Sequence, residues 1–149
     1  MLEEIVCIDD LLPTLNHFKC PNYSVKLYLR TAIQDEFVEF LGGFGINSSY
    51  KEGDISFRMS KLIAIAIVIY QNRYRDELYR KEMANPVVTA MKFMDKGRND
   101  RLYCRELISS SGKAVVICEI HSNKQNQKNK HKEISIIDKV AEYEFKIFS

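Results

Sequence analysis

Alternation of apolar and polar residues predicts three strands in this chain. In Tyr23–Arg30 every second residue from Tyr23 is apolar, which is the period of a strand with one buried face. Arg101–Leu107 and Lys113–His121 are further strand-like runs, and Ser-Ser-Ser-Gly lies between them. A short turn between two such runs is typical of a β-hairpin. We therefore expect these two strands to pair antiparallel.

Capping signals and apolar spacing predict two helices after the first strand. Thr31-Ala-Ile-Gln34 matches a capping box, and the helix that it opens should end at Gly42-Gly43. Asp54 is a candidate N-cap for a longer helix, which includes the apolar run Leu62–Tyr70 and continues into the charged residues Arg73–Lys81. The many β-branched residues of the apolar run would also suit a buried strand, so that alternative stays open.

Two more helices are expected in the second half of the chain. Asn85-Pro86 places a capping residue before a proline at the first helical position, and Gly97 is a stop signal, which predicts a short helix over Pro86–Asp95. Glu133-Ile134 opens a final helix, because apolar residues recur there at helical spacing. Tyr143–Phe148 could extend this helix or add an edge strand.

These elements predict an α+β fold, with a small antiparallel sheet and flanking helices. The chain has 149 residues, 46% of them hydrophobic, which is enough for one domain with a substantial core. Residues 1–22 contain two prolines and mixed acidic and apolar residues, so we interpret them as an N-terminal extension. Residues 23–149 would then form the domain.

The apolar segments indicate a protein of the cytoplasm rather than of a membrane. The start of the chain, Met1-Leu-Glu-Glu, is acidic where a signal peptide would be basic. The apolar run Leu62–Tyr70 is much shorter than the about 20 residues that a membrane-spanning helix needs. We therefore expect no membrane partner.

Cysteine spacing gives no sign of a metal or redox site. Cys7, Cys20, Cys104 and Cys118 form no CxxC pair and no close cluster with histidine. Cys104 and Cys118 lie in the hairpin strands, where a reduced cysteine serves as a small apolar residue. We expect reduced thiols, no metal and no cofactor.

Positive charge is concentrated in one part of the sequence. The net charge is +2, but residues 96–132 carry nine Lys or Arg against three acidic residues, a net charge of +6, so the remainder carries −4. Clustered cations attract polyanions locally even when the whole protein is not basic. A nucleic acid is therefore a candidate partner, although such a run can also be a solvated loop.

Several short motifs follow one another in the last third of the chain. Met91-Lys-Phe-Met precedes Leu102-Tyr103-Cys104-Arg105, Ile120-His121 ends the next strand, and Glu133-Ile134 opens a helix after a Lys-rich loop. This order and spacing resembles the RelE/ParE superfamily of toxins from bacterial toxin–antitoxin pairs, in particular its HigB-like branch. The resemblance covers Tyr23–Tyr143, and its specific motifs lie within Met91–Ile134.

The resemblance implies a RelE-like fold and a ribonuclease that cleaves mRNA, on or off the ribosome, without metal or cofactor. It also implies a cognate antitoxin protein as a partner that covers the basic face. The chain departs from the family pattern in having Ser122-Asn123 in place of Gly-Phe and no proline before Glu133. Its Arg motif is one residue short unless a bulge intervenes, so either Arg105 or Arg101 could hold the family position.

RNA cleavage by attack of a 2′-hydroxyl on its own phosphate needs a proton acceptor, a proton donor and fixed cations. Arg105 and His121 are candidate catalytic residues, since the first can stabilise charge and the second can exchange a proton near neutral pH. The resemblance places Lys124 and Lys128 against the scissile phosphate. We expect His121 on the same side as Glu119.

Further residues are candidates for binding the nucleic acid. Strand alternation puts Arg101 and Tyr103 on the same face as Arg105, and Tyr103 could stack on a base. The other basic candidates for nucleic-acid binding are Lys113, Lys130, His131 and Lys132. Each of these side chains also has a plain structural interpretation, as part of a solvated face or, for Tyr103, as a residue packed on a neighbouring strand.

Two other functions fit the same sequence. One is a nucleic-acid-binding or ribosome-binding module without catalysis, which would not depend on any single His or Arg. The other is a protein-interaction module whose basic loop meets an acidic partner, such as an antitoxin tail.

Overall fold

The computed structural model describes residues 2–12, 15, 18–42, 52–95, 98–122 and 130–146. In this part of the chain the strands are β1 Leu2–Glu3, β2 Ile5–Cys7, β3 Ser24–Arg30, β4 Tyr79–Lys81, β5 Val88–Asp95, β6 Arg98–Ile108, β7 Gly112–His121 and β8 Glu144–Phe145. The α-helices are α1 Gln34–Phe40, α2 Glu52–Tyr70 and α3 Lys130–Glu142. The protein is therefore an α+β protein, as the sequence predicts.

The main sheet of the described residues has six strands in the order β2-β3-β7-β6-β5-β4. It is mixed, because β3 runs parallel to β7 while the other neighbours are antiparallel. The expectation of a purely antiparallel sheet is therefore wrong. Between β3 and β7 the chain passes through α1, α2 and the strands β4 to β6. Such a long connection allows β3 and β7 to pair in the same direction.

Helices cover both faces of this sheet. One face packs against α1 and α2 through a core that includes Leu27, Phe37 and Leu62. The other face packs against α3 through a second cluster that includes Tyr103 and Ile137. Successive residues of β5, β6 and β7 therefore point alternately to the α1–α2 side and to the α3 side.

The predicted hairpin is confirmed, with a register shift inside it. Strands β6 and β7 pair antiparallel, but Tyr103 lies opposite Glu119 while the next residue, Cys104, lies opposite Ile117. Cys118 is thus an extra residue in β7, a β-bulge. The bulge lies in β7 and not in the strand of the Arg motif, so it does not lengthen that motif.

The segment predicted as a helix over Pro86–Asp95 is instead strand β5, so that prediction is wrong. Asn85 makes a turn, in which its side-chain oxygen accepts a hydrogen bond from the Val87 N–H at 3.2 Å and its carbonyl accepts one from the Val88 N–H at 2.9 Å. The strand is central and buried on both faces, so its polar and apolar residues do not alternate clearly.

The long helix is confirmed over the apolar run but ends sooner than predicted. Its last residue is Tyr70, and Asn72 follows in a left-handed conformation with φ of 57°, which asparagine tolerates better than most residues. The charged residues beyond it lead into the edge strand β4 instead of continuing the helix. The helix begins at Glu52, so Asp54 lies inside it and is not its N-cap.

The shorter helix has the predicted end but not the predicted cap. Thr31–Ile33 forms a 3-10 turn before α1, and no side chain caps either element by a hydrogen bond. The capping-box prediction is therefore wrong. At the other end Gly42 has φ of 112° and its N–H donates to the Glu39 carbonyl, which is the glycine stop that the sequence predicts.

The N-terminal residues take part in the sheet. Strand β2 pairs antiparallel with β3 at the edge of the main sheet, and Ile8 and Leu12 are buried in the core under α1 and α2. Strand β1 pairs in parallel with β8, which follows α3. The C-terminal segment thus forms a strand and does not extend the helix, but this strand pairs with β1 in a separate two-stranded sheet and is not an edge of the main sheet.

Burial of two thiols matches their expected apolar role. Cys104 and Cys118 lie inside the sheet, where burial raises the pKa of the Cys104 thiol well above its usual value and that of Cys118 to about 12. Such thiols are unreactive. Within the described ranges, no helix combines the length and apolar character needed to cross a bilayer.

Candidate active site

Three basic side chains lie side by side across the α3 face of the sheet. Arg101 of β6 is the direct register partner of Lys92 on β5 and of His121 on β7. Register partners on neighbouring strands point to the same face, with Cβ atoms about 5 Å apart. We call Lys92, Arg101 and His121 the basic row.

Tyr103 lies beside the basic row on the same face. It is two residues along β6 from Arg101, and its ring centroid is 6.4 Å from that of His121. The sequence predicts that Arg101 and Tyr103 share a face and that His121 lies on the side of Glu119, and the structure has both arrangements. Glu119 and His121 share a side because they are two residues apart in β7. The bulge at Cys118 turns that side toward α3, because it places both Cys118 and Glu119 on the α3 side.

Two carboxylates hold the guanidinium group of Arg101. Its Nη1 atom lies 3.1 Å from Glu82 Oε1, which follows β4, and 3.3 Å from Glu133 Oε1, in the first turn of α3. The Tyr103 hydroxyl donates a hydrogen bond of 3.0 Å to the same Glu133 oxygen. Arg101 and Tyr103 are therefore joined through one carboxylate.

The basic row and Tyr103 are well shielded from solvent, and this burial shifts the pKa values of Lys92 and Tyr103. Arg101 is 8% exposed and Tyr103 is fully buried. Burial, together with the neighbouring guanidinium groups of Arg80 and Arg101, lowers the pKa of the Lys92 ammonium. Burial and the nearby Glu133 carboxylate raise the pKa of Tyr103, so its hydroxyl keeps its proton and acts as a donor.

Arg105 points to the same face but has a different environment. Its Nη1 atom donates to the carbonyl oxygens of Val140, Ala141 and Tyr143, at 3.1, 2.9 and 2.9 Å. These are carbonyls at the C-terminal end of α3, which lack partners within a helix. Arg105 thus anchors the end of α3, while Arg101 is the arginine beside His121.

The other predicted basic residues that the structure describes lie at the far end of the hairpin and in α3. Lys113 lies at the other end of the hairpin, where its ammonium pairs with Glu106 at 3.1 Å on the α1–α2 side. Lys124 and Lys128 lie outside the described residues, and Lys130 is the first residue of α3. His131 and Lys132 are exposed in the first turn of α3.

Sequence reasoning missed Lys92 and Glu82 as members of the site. Lys92 was part of the motif before the hairpin, but the helix prediction for Pro86–Asp95 hid its place in a strand. A strand assignment would have put Lys92 opposite Arg101. No sequence pattern pointed to Glu82, because the strand before it, β4, was predicted to be part of the long helix.

The arrangement brings cations, a hydroxyl donor and an imidazole together on one face of the sheet, and these groups can serve phosphoryl transfer without a metal. In the described residues, no group of three or more His, Cys, Asp or Glu is placed to hold a metal ion. An apolar cavity of about 640 Å³ lies on the opposite face, between β2, α1 and α2, and includes none of these residues.

Comparisons of this chain with known protein families, with curated proteins and with solved structures found no significant match.

Proposed function

We propose that this protein is a RelE-like ribonuclease toxin that cleaves mRNA in the bacterial cytoplasm and is neutralised by a cognate antitoxin. The observation that carries the proposal is the basic row, which brings an imidazole, a guanidinium and an ammonium into register on three neighbouring strands. The order of elements also agrees with the resemblance. A strand, two helices, four antiparallel strands and a final helix follow one another from β3 to α3.

In the proposed reaction the 2′-oxygen of a ribose attacks the neighbouring phosphorus and the bond to the 5′-oxygen breaks. The 2′-hydroxyl loses a proton and the leaving 5′-oxygen gains one. His121 exchanges one of these protons and solvent exchanges the other, while the Tyr103 hydroxyl donates a hydrogen bond to the phosphate. Arg101 and Lys92 stabilise the extra negative charge of the transition state. The products are a 2′,3′-cyclic phosphate and a 5′-hydroxyl, so no water, metal or cofactor is consumed.

The proposal gives Arg101 the role that the sequence assigned first to Arg105. The two arginines share a face, but only Arg101 is a register partner of His121. The three carbonyl oxygens bound by Arg105 give that residue a structural task. Lys124 and Lys128 would contact the RNA backbone.

A test of the proposal uses the wild-type protein and a defined mRNA, with and without ribosomes. We expect cleavage that persists in EDTA and leaves 2′,3′-cyclic phosphate ends, together with growth arrest when the protein is expressed alone. A mock purification from cells that lack the gene controls for contaminating nucleases. Binding of RNA without cleavage and without growth arrest would reject the toxin.

The burial of the row favours a second candidate, a nucleic-acid-binding module without catalysis. Lys92, Arg101 and His121 are all less than 9% exposed, whereas His131 and Lys132 are exposed. A binding module would use the exposed cations and leave the buried groups to hold the fold. The cleavage assay separates the two candidates.

RNA binding should depend on salt through Lys124 and Lys128, which lie in the basic loop, residues 122–132 of the sequence. Each phosphate contact with a single strand contributes about 0.7 to the slope of log affinity against log salt, so the K124A/K128A variant should lose about 1.4 from the slope of the wild type. The K26A/K81A variant is the matched control, since it removes two exposed lysines elsewhere. Filter binding at several salt concentrations measures the slopes. Equal slopes for the wild type and K124A/K128A would show that these two lysines do not contact the RNA backbone.

A further inference from the structure

The proposed site is closed in this structure. Its central cation, Arg101, is 8% exposed, and its hydroxyl donor, Tyr103, is fully buried. RNA cannot contact either group unless something moves. Among the described residues, Glu133 of α3 contacts both of them, at 3.3 Å from Arg101 Nη1 and 3.0 Å from the Tyr103 hydroxyl.

The Glu133 carboxylate places a negative charge from the protein itself at the proposed site. A guanidinium and a hydroxyl that bind a carboxylate oxygen are the same donors that bind a non-bridging phosphate oxygen. We propose that Glu133 occupies the position of the RNA phosphate, and that the first turn of α3 must move away before RNA binds. This inference rests on the proposed function, since it names the regulation of the same site.

The other carboxylate on Arg101 is not placed to move in this way. Glu82 directly follows strand β4, and its backbone N–H donates to the Val88 carbonyl at 2.8 Å. Its chain position is therefore fixed by the sheet. We infer that Glu82 orients Arg101 and that Glu133 is the displaceable partner.

The first turn of α3 is held to the sheet by the polar contacts of Glu133 and by few buried apolar side chains. Ile134 is 37% exposed, and Ile137 is the first residue of α3 that is fully buried. The other end of the helix is anchored by the buried Val140 and by Arg105. Segments with few buried side chains open at low cost in free energy, so the first turn can open without loss of the helix.

Tyr103 remains suited to a phosphate after Glu133 leaves. A tyrosine hydroxyl has an ordinary pKa of about 10, so it keeps its proton at neutral pH whether or not Glu133 is in place. Once the carboxylate is displaced, the same hydroxyl can donate to a phosphate oxygen. The Glu133 carboxylate therefore competes with the phosphate for the Tyr103 hydroxyl. Exchange of one for the other needs no rearrangement of β6.

The test compares Glu133→Gln with Asp138→Asn. Both variants remove one negative charge from α3, but Asp138 is exposed and lies beyond the first turn. Isothermal titration with pyrophosphate should show about tenfold tighter binding by E133Q than by the wild type, the scale of a modest coupling between two ligands. The affinity of D138N for pyrophosphate should differ from that of the wild type by about twofold or less, as expected for an exposed charge screened by salt.

A second measurement needs no variant. Hydrogen exchange of the wild type with saturating pyrophosphate should accelerate for the amides of residues 133–136 and not for those of 138–142. The inference is overturned if E133Q gains no more affinity than D138N, or if pyrophosphate binds without faster exchange in the first turn. Tighter binding by E133Q with faster exchange, but without RNA cleavage by any form, would support this inference while rejecting the ribonuclease.

Discussion

RNA cleavage by the His121→Asn variant is expected to be slower than that of the wild type by at least about 10²-fold, the usual scale for loss of one acid–base group. His121 ends β7 beside Arg101, on the face that carries Tyr103. Asparagine keeps a polar side chain of similar reach but cannot exchange a proton near neutral pH. Single-turnover cleavage of a short RNA measures the effect.

Binding should change far less than cleavage in this variant. Affinity is measured with the same RNA carrying a 2′-deoxy nucleotide at the cleavage point, and circular dichroism checks that the variant is folded. Lys26→Ala, which removes an exposed lysine from β3, should cleave at the wild-type rate. Full activity of His121→Asn, or an equal loss of binding and cleavage, would contradict an acid–base role.

Replacing Arg58 by Met should destabilise the fold by about 3–5 kcal/mol, the cost of breaking a buried ion pair by removing one partner. Arg58 of α2 is 1% exposed and Asp100 of β6 is 2% exposed. The Arg58 Nη2 atom lies 3.1 Å from Asp100 Oδ2, and Nη1 donates to the Phe40 carbonyl at 2.8 Å. One side chain thus joins α2, the end of α1 and the sheet.

Urea unfolding measures this effect, with Arg75→Met as the control. Arg75 also pairs with a carboxylate, that of Glu77, but both side chains are more than half exposed, so its loss should change the midpoint little. The double variant R58M/D100L should recover much of the stability, since it removes both buried charges. Equal midpoints for Arg58→Met and Arg75→Met would show that the buried pair does not hold the helices on the sheet.

The strands that sequence predicted correctly are those with clear alternation or a clear turn. The first strand had clear alternation, and the hairpin had a clear turn between two strand-like runs. Strand β5 had neither, because Lys92 is the one charged residue in its buried central part and Asn85-Pro86 is as typical of a helix start as of a turn. The error then hid Lys92 from the candidate site.

The candidate site was only partly predictable for a similar reason. Alternation put Arg101, Tyr103 and Arg105 on one face, and the structure agrees. Which arginine stands beside His121 depends on the register between two strands, and a one-residue bulge sets that register. The contact of Glu133 with this face depends on how α3 packs, and local sequence spacing contains no information about that.

The bulge at Cys118 makes the backbone shape of β7 as important as its side chains. If a strand of the same length paired without the bulge, Arg101 would lie opposite Ile120, and His121 would turn to the α1–α2 side while its identity stayed the same. A change that straightens β7 without shortening it could therefore silence the site in a relative that still carries every polar residue of it. Among homologous chains, a bulge just before the histidine is thus a better mark of shared chemistry than the histidine alone.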